Sequence, residues 1–161
     1  MEHCAGNLSA DKDELLTLLG EAKRLAQRFR TLTGKPLGIT GEVAEHEAAK
    51  ILGLDLLPPR QAGYDAIEYL DGNPRKLQIK GRCVLPDSKR GQRLGSIDIQ
   101  KDFDAVLLVI LDENLDAMEI IEADRVAVIN ALSEPGSKAR NERGALGISK
   151  FRSIGKVRWV R

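Results

Sequence analysis

Ala105-Val106-Leu107-Leu108-Val109-Ile110-Leu111 is an unbroken apolar run of strand length. A strand that is apolar at every position has no face to give to water, so it belongs at the centre of a sheet covered on both sides. Asp112-Glu113-Asn114 turns the chain after it, and Ala117 to Glu122 reads as a returning strand. The remaining segments must then supply the layers above and below a sheet.

Two of those segments are helical. From Ser9 or Asp11 to about Leu32, apolar residues (Leu15, Leu18, Leu19, Ala22, Leu25, Ala26, Phe29) recur at three- and four-residue spacing. Asp11, Asp13 and Glu14 near its start, and Lys23, Arg24, Arg28 and Arg30 toward its end, suit the helix dipole. A second helix is expected from Thr40 to Leu52, with Ala44, Ala48, Ile51 and Leu52 as its apolar stripe and Gly53 as its stop. Its first two turns carry Glu42, Glu45 and Glu47. Leu57-Pro58-Pro59-Arg60 reads as a rigid connector. Asp124 opens a short helix over 125–132, Ser133 to Arg143 reads as a polar loop, and Leu146–Ile148 and Val157–Val160 read as short closing strands.

The expected architecture is an α/β (α+β) fold, a mixed central sheet with flanking helices. At 161 residues with 42% hydrophobic composition the chain suits one globular domain over 1–161. Within it we expect a disordered N-terminus (1–9), an N-terminal helix (10–33), a core (38–132), and a basic loop with closing strands (133–161). Cys4 and Cys83 give neither a disulfide framework nor a zinc signature. No apolar run has the length of a membrane span and no signal-peptide pattern opens the chain, so no membrane partner and a cytoplasmic location are expected. The net charge of +1 implies no polyanionic partner by itself. The charge is unevenly placed, however, acidic over 102–124 and basic over 75–101 and 138–161.

Between the second helix and the apolar run, Gly63 to Leu70 and Arg75 to Gly81 flank the turn-forming quartet Asp71-Gly72-Asn73-Pro74, the pattern of a β-hairpin. A loop over 71–74 sets Leu70 opposite Arg75, Ile67 opposite Gln78 and Asp65 opposite Lys80. Asp65, Ile67, Gln78 and Lys80 then share one face, with opposed Cβ atoms roughly 5 Å apart. Asp65 is a hard oxygen ligand for Mg²⁺, Gln78 supplies a neutral oxygen, and the main-chain carbonyl of Ile79 lies between them. Lys80 adds a positive charge. Such a set suits phosphodiester hydrolysis, in which a metal lowers the pKa of a bound water and a lysine neutralises developing charge. The same residues read equally as a plain cross-strand Asp–Lys pair.

Gly41-Glu42-Val43-Ala44-Glu45, then Gly63-Tyr64-Asp65, then Gln78-Ile79-Lys80, resemble the motifs of the restriction-endonuclease-like PD-(D/E)XK nuclease superfamily. The likeness is to its branch with Gln in the (D/E/Q)-x-K motif. It spans roughly 38–82 by motif, and the strand, strand and helix over 103–132 agree with the family's core order. Tyr64 stands at the motif's proline and Gln78 at its second acid. The resemblance implies a Mg²⁺- or Mn²⁺-dependent nuclease acting on DNA, with a nuclease-like core over 38–132. It makes Asp65, Gln78 and the Ile79 carbonyl the metal ligands, Lys80 the catalytic lysine and Glu42 the helix glutamate. Glu45 is the other candidate, lying nearer the helix's buried flank. With one acid fewer, the implied alternative is an inactive DNA-binding or protein-interaction domain of the same fold.

Arg60, Arg75, Arg82, Lys89, Arg90, Arg93 and Lys101, with Lys138, Arg140 and Arg143, suit contacts to a phosphate backbone. The segment 88–95 is expected to be an exposed loop reading a groove or backbone. Cutting both strands of a duplex calls for two sites, which suggests a homodimer with the helix over 11–32 as its interface.

Overall fold

The computed structural model describes residues 5–58 and 63–161. It divides into two compact units, Met1–Ile39 and Thr40–Arg161. The first carries one helix, α1 (Ala5–Thr33), which starts ahead of the expected Ser9 or Asp11. Of the segment expected to be disordered, residues 1–4 lie outside those described. The helix ends where the Gly34 N–H returns to the Arg30 carbonyl at 2.8 Å, and Pro36 prevents its continuation.

The second unit is built as α2 (Thr40–Leu52), β1 (Asp55–Leu56), β2 (Ala66–Leu70), β3 (Asn73–Cys83), β4 (Ala105–Leu111), β5 (Ala117–Asp124), α3 (Arg125–Ser133), α4 (Lys138–Asn141), α5 (Ile148–Ile154) and β6 (Lys156–Val160). Among the described residues the strands form one six-stranded mixed sheet in sequential order. Every neighbouring pair is antiparallel except β3–β4, which is parallel. The fold is therefore α+β with flanking helices. β4 is central and buried at every position, as its composition requires.

A parallel pair needs a long crossover, and here residues 84–104 make it without a helix. The loop expected over 88–95 is exposed at Lys89, Arg90, Gly91 and Gly95 but anchored at Leu94. Leu94 and Ile97 are buried and join Phe103, Val106, Leu108, Val128 and Phe151 in one core cluster. The crossover is also fastened by its backbone, with Leu94 N–H on the Leu146 carbonyl (2.9 Å) and Ile148 N–H on the Gln92 carbonyl (3.0 Å). Leu146–Ile148, expected as a strand, instead makes an isolated Arg93–Gly147 bridge and then enters α5. Its partner is the irregular crossover, so no ladder can extend. Asp124 caps α3 through its carboxylate, which accepts from Ala127 N at 2.8 Å.

The opposite face of the sheet carries α2. Gly81 of β3 makes that approach possible: a Cβ there would lie 2.5 Å from the Ala44 Cβ and 2.9 Å from the Thr40 carbonyl oxygen. Glu47 adds a tether, its carboxylate accepting from Ala117 N at 3.0 Å.

Four side chains on β2, β3, β5 and β6 close an alternating ring of charge. Arg75 bonds Glu68 at 2.9 Å and also Glu122, while Arg158 bonds Glu68 at 2.6 Å and Glu122 at 2.5 Å. Glu68 is 5% exposed, so its charge depends on both guanidinium groups. Burial pushes the Glu122 carboxyl up, but its bonds to Arg75 and Arg158 outweigh this and hold it below the ordinary carboxylate range. The Glu68 carboxylate correspondingly raises Arg158.

Candidate active site

The hairpin turn is shorter than the sequence suggested. Leu70 pairs with Asn73, leaving Asp71-Gly72 as a two-residue loop. Both residues have positive φ (51° and 80°), as a type I′ turn demands and Asp-Gly readily supplies. Asn73 and Pro74 pass into the strand. The register is therefore moved by two from the expected one: Ile67 faces Lys76, and Ala66 faces Leu77 as the last rung. A shift of two preserves the faces but changes the partners. Asp65 does not oppose Lys80; it sits one residue before that last rung, level with Gln78.

β3 runs on past the last rung to Cys83, so from Ile79 its β2-side edge is no longer laddered by β2. Asp65 occupies that edge. Its backbone N–H donates to the Leu77 carbonyl at 2.8 Å, and its carboxylate accepts from the Ile79 N–H at 2.7 Å. The N–H and C=O of one strand residue point to the same edge, so the Ile79 carbonyl is directed toward Asp65 as well.

Gln78 is buried, and its amide donates to the Gly63 carbonyl at 2.9 Å. Gly63 has φ +95°, and a Cβ there would lie 3.0 Å from the Asp102 nitrogen. The chain thus enters the site through a turn only glycine accepts readily, held by the Gln78 side chain. Beside it Tyr64 packs against the core cluster, with the Lys76 ammonium 5.4 Å from its ring centre.

Gln78 and Lys80 are the β4 partners of Val106 and Leu108, and so lie on the crossover face of the sheet. Lys80 is half-buried, its stem 4.0 Å from the position of a Gly95 Cβ. α2 lies on the other face, yet it reaches the same edge. Burial raises the pKa of Glu45, the negative charges of Asp65 and Glu42 raise it further, and the Lys80 ammonium partly offsets them. The charges of Asp65 and Lys80 are thus felt at Glu45, and Asp65 itself sits at the edge of β3 that β2 no longer pairs. Glu42, one turn earlier, is exposed, and its charge is among the causes that raise Glu45. Of the two glutamates weighed as the helix acid, Glu45 is half-buried and Glu42 is exposed. The sequence signal for this was present in the helical wheel, where Glu45 borders the buried Ala44 and Ala48.

Several basic residues expected to meet phosphate are engaged within the fold. Arg75 belongs to the charge ring. Arg82 donates to the Arg93 carbonyl, and Arg93 to the Ala145 carbonyl at 3.0 Å and Ser137 at 3.2 Å. Arg140 holds the Glu134 and Pro135 carbonyls. Lys89, Arg90, Lys101 and Arg143 are exposed, and Arg60 lies outside the described residues.

The fit of a divalent cation can be judged from the donors. Mg²⁺ is commonly held by one or two carboxylates, with water and substrate phosphate completing its shell. Asp65 offers one at the β3 edge, its bond from Ile79 N–H leaving other lone pairs available, and α2 carries Glu45. The raised Glu45 pKa comes first from burial and then from the charges of Asp65 and Glu42. Among the described residues no group of three or more His, Cys, Asp and Glu is arranged to hold a metal on its own. In donor type, a carboxylate and a main-chain carbonyl at one edge suit a hydrated Mg²⁺ or Mn²⁺. They do not fit an all-protein cage. No helix among the described residues is long and apolar enough to cross a membrane. No protein-family model matches the chain, and no curated protein sequence matches it.

Proposed function

We propose that this protein is a divalent-metal-dependent nuclease that hydrolyses DNA phosphodiester bonds, of the restriction-endonuclease-like PD-(D/E)XK kind. The observation that carries this reading is the Asp65 carboxylate fixed on the Ile79 N–H at the unpaired edge of β3, with Lys80 next along that strand and Glu45 of α2 feeling the charge of both. In this reading Glu45 and Asp65 hold Mg²⁺ or Mn²⁺, and the Ile79 carbonyl is a third oxygen at the same edge. The bound cation supplies Lewis acidity toward a phosphate oxygen and a lowered pKa for its water. The Lys80 ammonium orients the attacking water and offsets charge on the phosphoryl oxygens. Gln78 positions rather than ligates, fixing Gly63 so that Asp65 reaches the edge. The protein acts in the cytoplasm. The exposed Leu15, Leu16, Leu18, Leu25, Phe29 and Leu32 of α1 support a homodimer, to be checked by light scattering.

One observation favours a second reading, a DNA-binding or protein-interaction domain of this fold without cleavage activity. Gln78 brings no negative charge, and its amide nitrogen is committed to the Gly63 carbonyl. The two readings part on cleavage of duplex, nicked, branched and single-stranded DNA in Mg²⁺ or Mn²⁺, beside Asp65→Ala and Lys80→Ala. Metal-dependent cutting lost in both variants supports the nuclease. DNA binding without cutting supports the second reading, and cutting that persists in both variants removes the assignment of the site.

A further inference from the structure

α1 carries two neighbouring apolar stripes that differ in exposure. On the first, Ala26 is buried and Leu19 half-buried. On the second, Leu15, Leu18, Leu25, Phe29 and Leu32 are exposed, from 37% at Phe29 to 82% at Leu32. With the half-buried Ala22 these residues keep a heptad, Leu15, Ala22 and Phe29 at a and Leu18, Leu25 and Leu32 at d. A stripe confined to a and d is the narrow seam of a coiled coil, not the broad face a helix lays on a sheet. It runs roughly 27 Å along the helix at 1.5 Å per residue. Gly20 within that length lowers the intrinsic stability of the helix, which therefore depends on packing of its apolar faces.

The seam is complementary to itself when a second copy runs the opposite way. An antiparallel pair sets a positions against d positions. Leu15 then meets Leu32 of the second copy, Leu18 meets its Phe29 and Ala22 meets its Leu25, and each contact recurs in reverse. The smallest and the largest side chain of the seam each meet a leucine. A parallel pair would stack Ala22 on Ala22 and Phe29 on Phe29, an underfilled layer beside an overfilled one. The charges agree with the antiparallel order. Glu21 and Arg28 are exposed and occupy g positions beside the seam. In the antiparallel register Glu21 comes level with Arg28 of the second copy, and the two-fold axis makes this pair twice. In a parallel pair Glu21 would face Ala26 and Arg28 would face Thr33, with no ion pair formed.

We propose that α1 joins a second copy of this chain as an antiparallel two-stranded coiled coil. Its seam is Leu15, Leu18, Ala22, Leu25, Phe29 and Leu32, flanked by two Glu21–Arg28 pairs between the copies. The proposal rests on the homodimer read above and adds its interface and orientation. It does not depend on cleavage at Asp65 and Lys80.

Sedimentation equilibrium of the full chain measures the dimer constant. Glu21→Arg and Arg28→Glu each set like charges together twice, and each is expected to weaken the dimer by about tenfold. Glu21→Arg with Arg28→Glu in one chain restores opposite signs and should return the affinity to near that of the wild type. Orientation is read by disulfide formation in a chain carrying Cys4→Ser and Cys83→Ala. There Leu15→Cys and Leu32→Cys chains should each stay unlinked alone, being roughly 25 Å from their own counterparts. Mixed, they should cross-link. A chain that stays monomeric to about 100 μM overturns the proposal together with the homodimer reading. A dimer indifferent to both single reversals, or not restored by the double one, overturns the proposal alone. So does a Leu32→Cys chain that links to itself, the mark of a parallel pair.

Discussion

The Asp65 carboxylate accepts a hydrogen bond from the main-chain N–H of Ile79 at 2.7 Å, at the point where β2 stops pairing with β3. An acid side chain thereby continues the ladder that the backbone abandons. The bond fixes one carboxylate beside an edge that β2 no longer pairs, and its charge is felt at Glu45 of α2. What the two acids cost the fold, and what a cation restores, can be measured.

Glu45→Gln is expected to stabilise the protein at neutral pH. Burial and the charges of Asp65 and Glu42 raise the folded pKa of Glu45 above its unfolded value. The folded state then binds more protons between those two values, and ionised Glu45 costs stability above the folded one. The advantage of Glu45→Gln should be full above the folded pKa, shrink as pH falls through it, and vanish below the unfolded value. Thermal melts across pH check this. Millimolar-range Mg²⁺ should narrow the gap at neutral pH by stabilising the wild type alone.

The charge ring behaves with the opposite sign. The Glu122 pKa is held down in the folded state, so its stabilisation is complete above the unfolded carboxylate value and is lost as pH falls through the depressed one. Arg158→Met leaves Glu68 with one partner and should cost about 3 kcal/mol near neutral pH in urea denaturation. The deficit should diminish in acid.

Gly81→Ala should push α2 from the sheet, because its Cβ overlaps Ala44 and the Thr40 carbonyl. A loss of about 1–3 kcal/mol is expected, the usual cost of overpacking. Ala44→Gly in the same chain should recover part of it despite its own helix penalty of about 1 kcal/mol. Denaturation midpoints of the single and double variants decide whether this contact sets the position of α2.

Gln78→Glu separates a clamp from a ligand. The substitution supplies the acid that the motif lacks but removes the donor to Gly63. As a clamp it should cost about 1–3 kcal/mol and bring no gain in Mg²⁺ affinity. Tighter Mg²⁺ binding in this variant, by calorimetry, would restore Gln78 to the ligand set.

Parts of this structure were legible in the sequence, and the physics says which. β4 and α2 follow from patterns intrinsic to their own residues, a run with no polar face and a stripe at helical spacing, and both have the expected bounds. The hairpin was legible as a hairpin but not in its register, since Asp71-Gly72 and Asn73-Pro74 are both turn signals and only the first is used. Asp65, Gln78 and Lys80 kept their common face only because the slip was an even number. Glu45 over Glu42 depends on how α2 is rotated, and the Gly81–Ala44 contact that limits it joins residues far apart in sequence. Arg93 read as a phosphate contact because nothing local shows that its guanidinium holds the Ala145 carbonyl 52 residues away.

The central claim is that one acid from α2 and one from the end of β2 form a single divalent-cation site. Mn²⁺ titration followed by calorimetry, on wild type, Asp65→Ala, Glu45→Gln and Glu42→Gln, tests it most directly. The account predicts one site in wild type, weakened by about tenfold or more in Asp65→Ala and in Glu45→Gln and nearly unchanged in Glu42→Gln. No binding in wild type, or a loss in Glu42→Gln with Glu45→Gln unaffected, would contradict it.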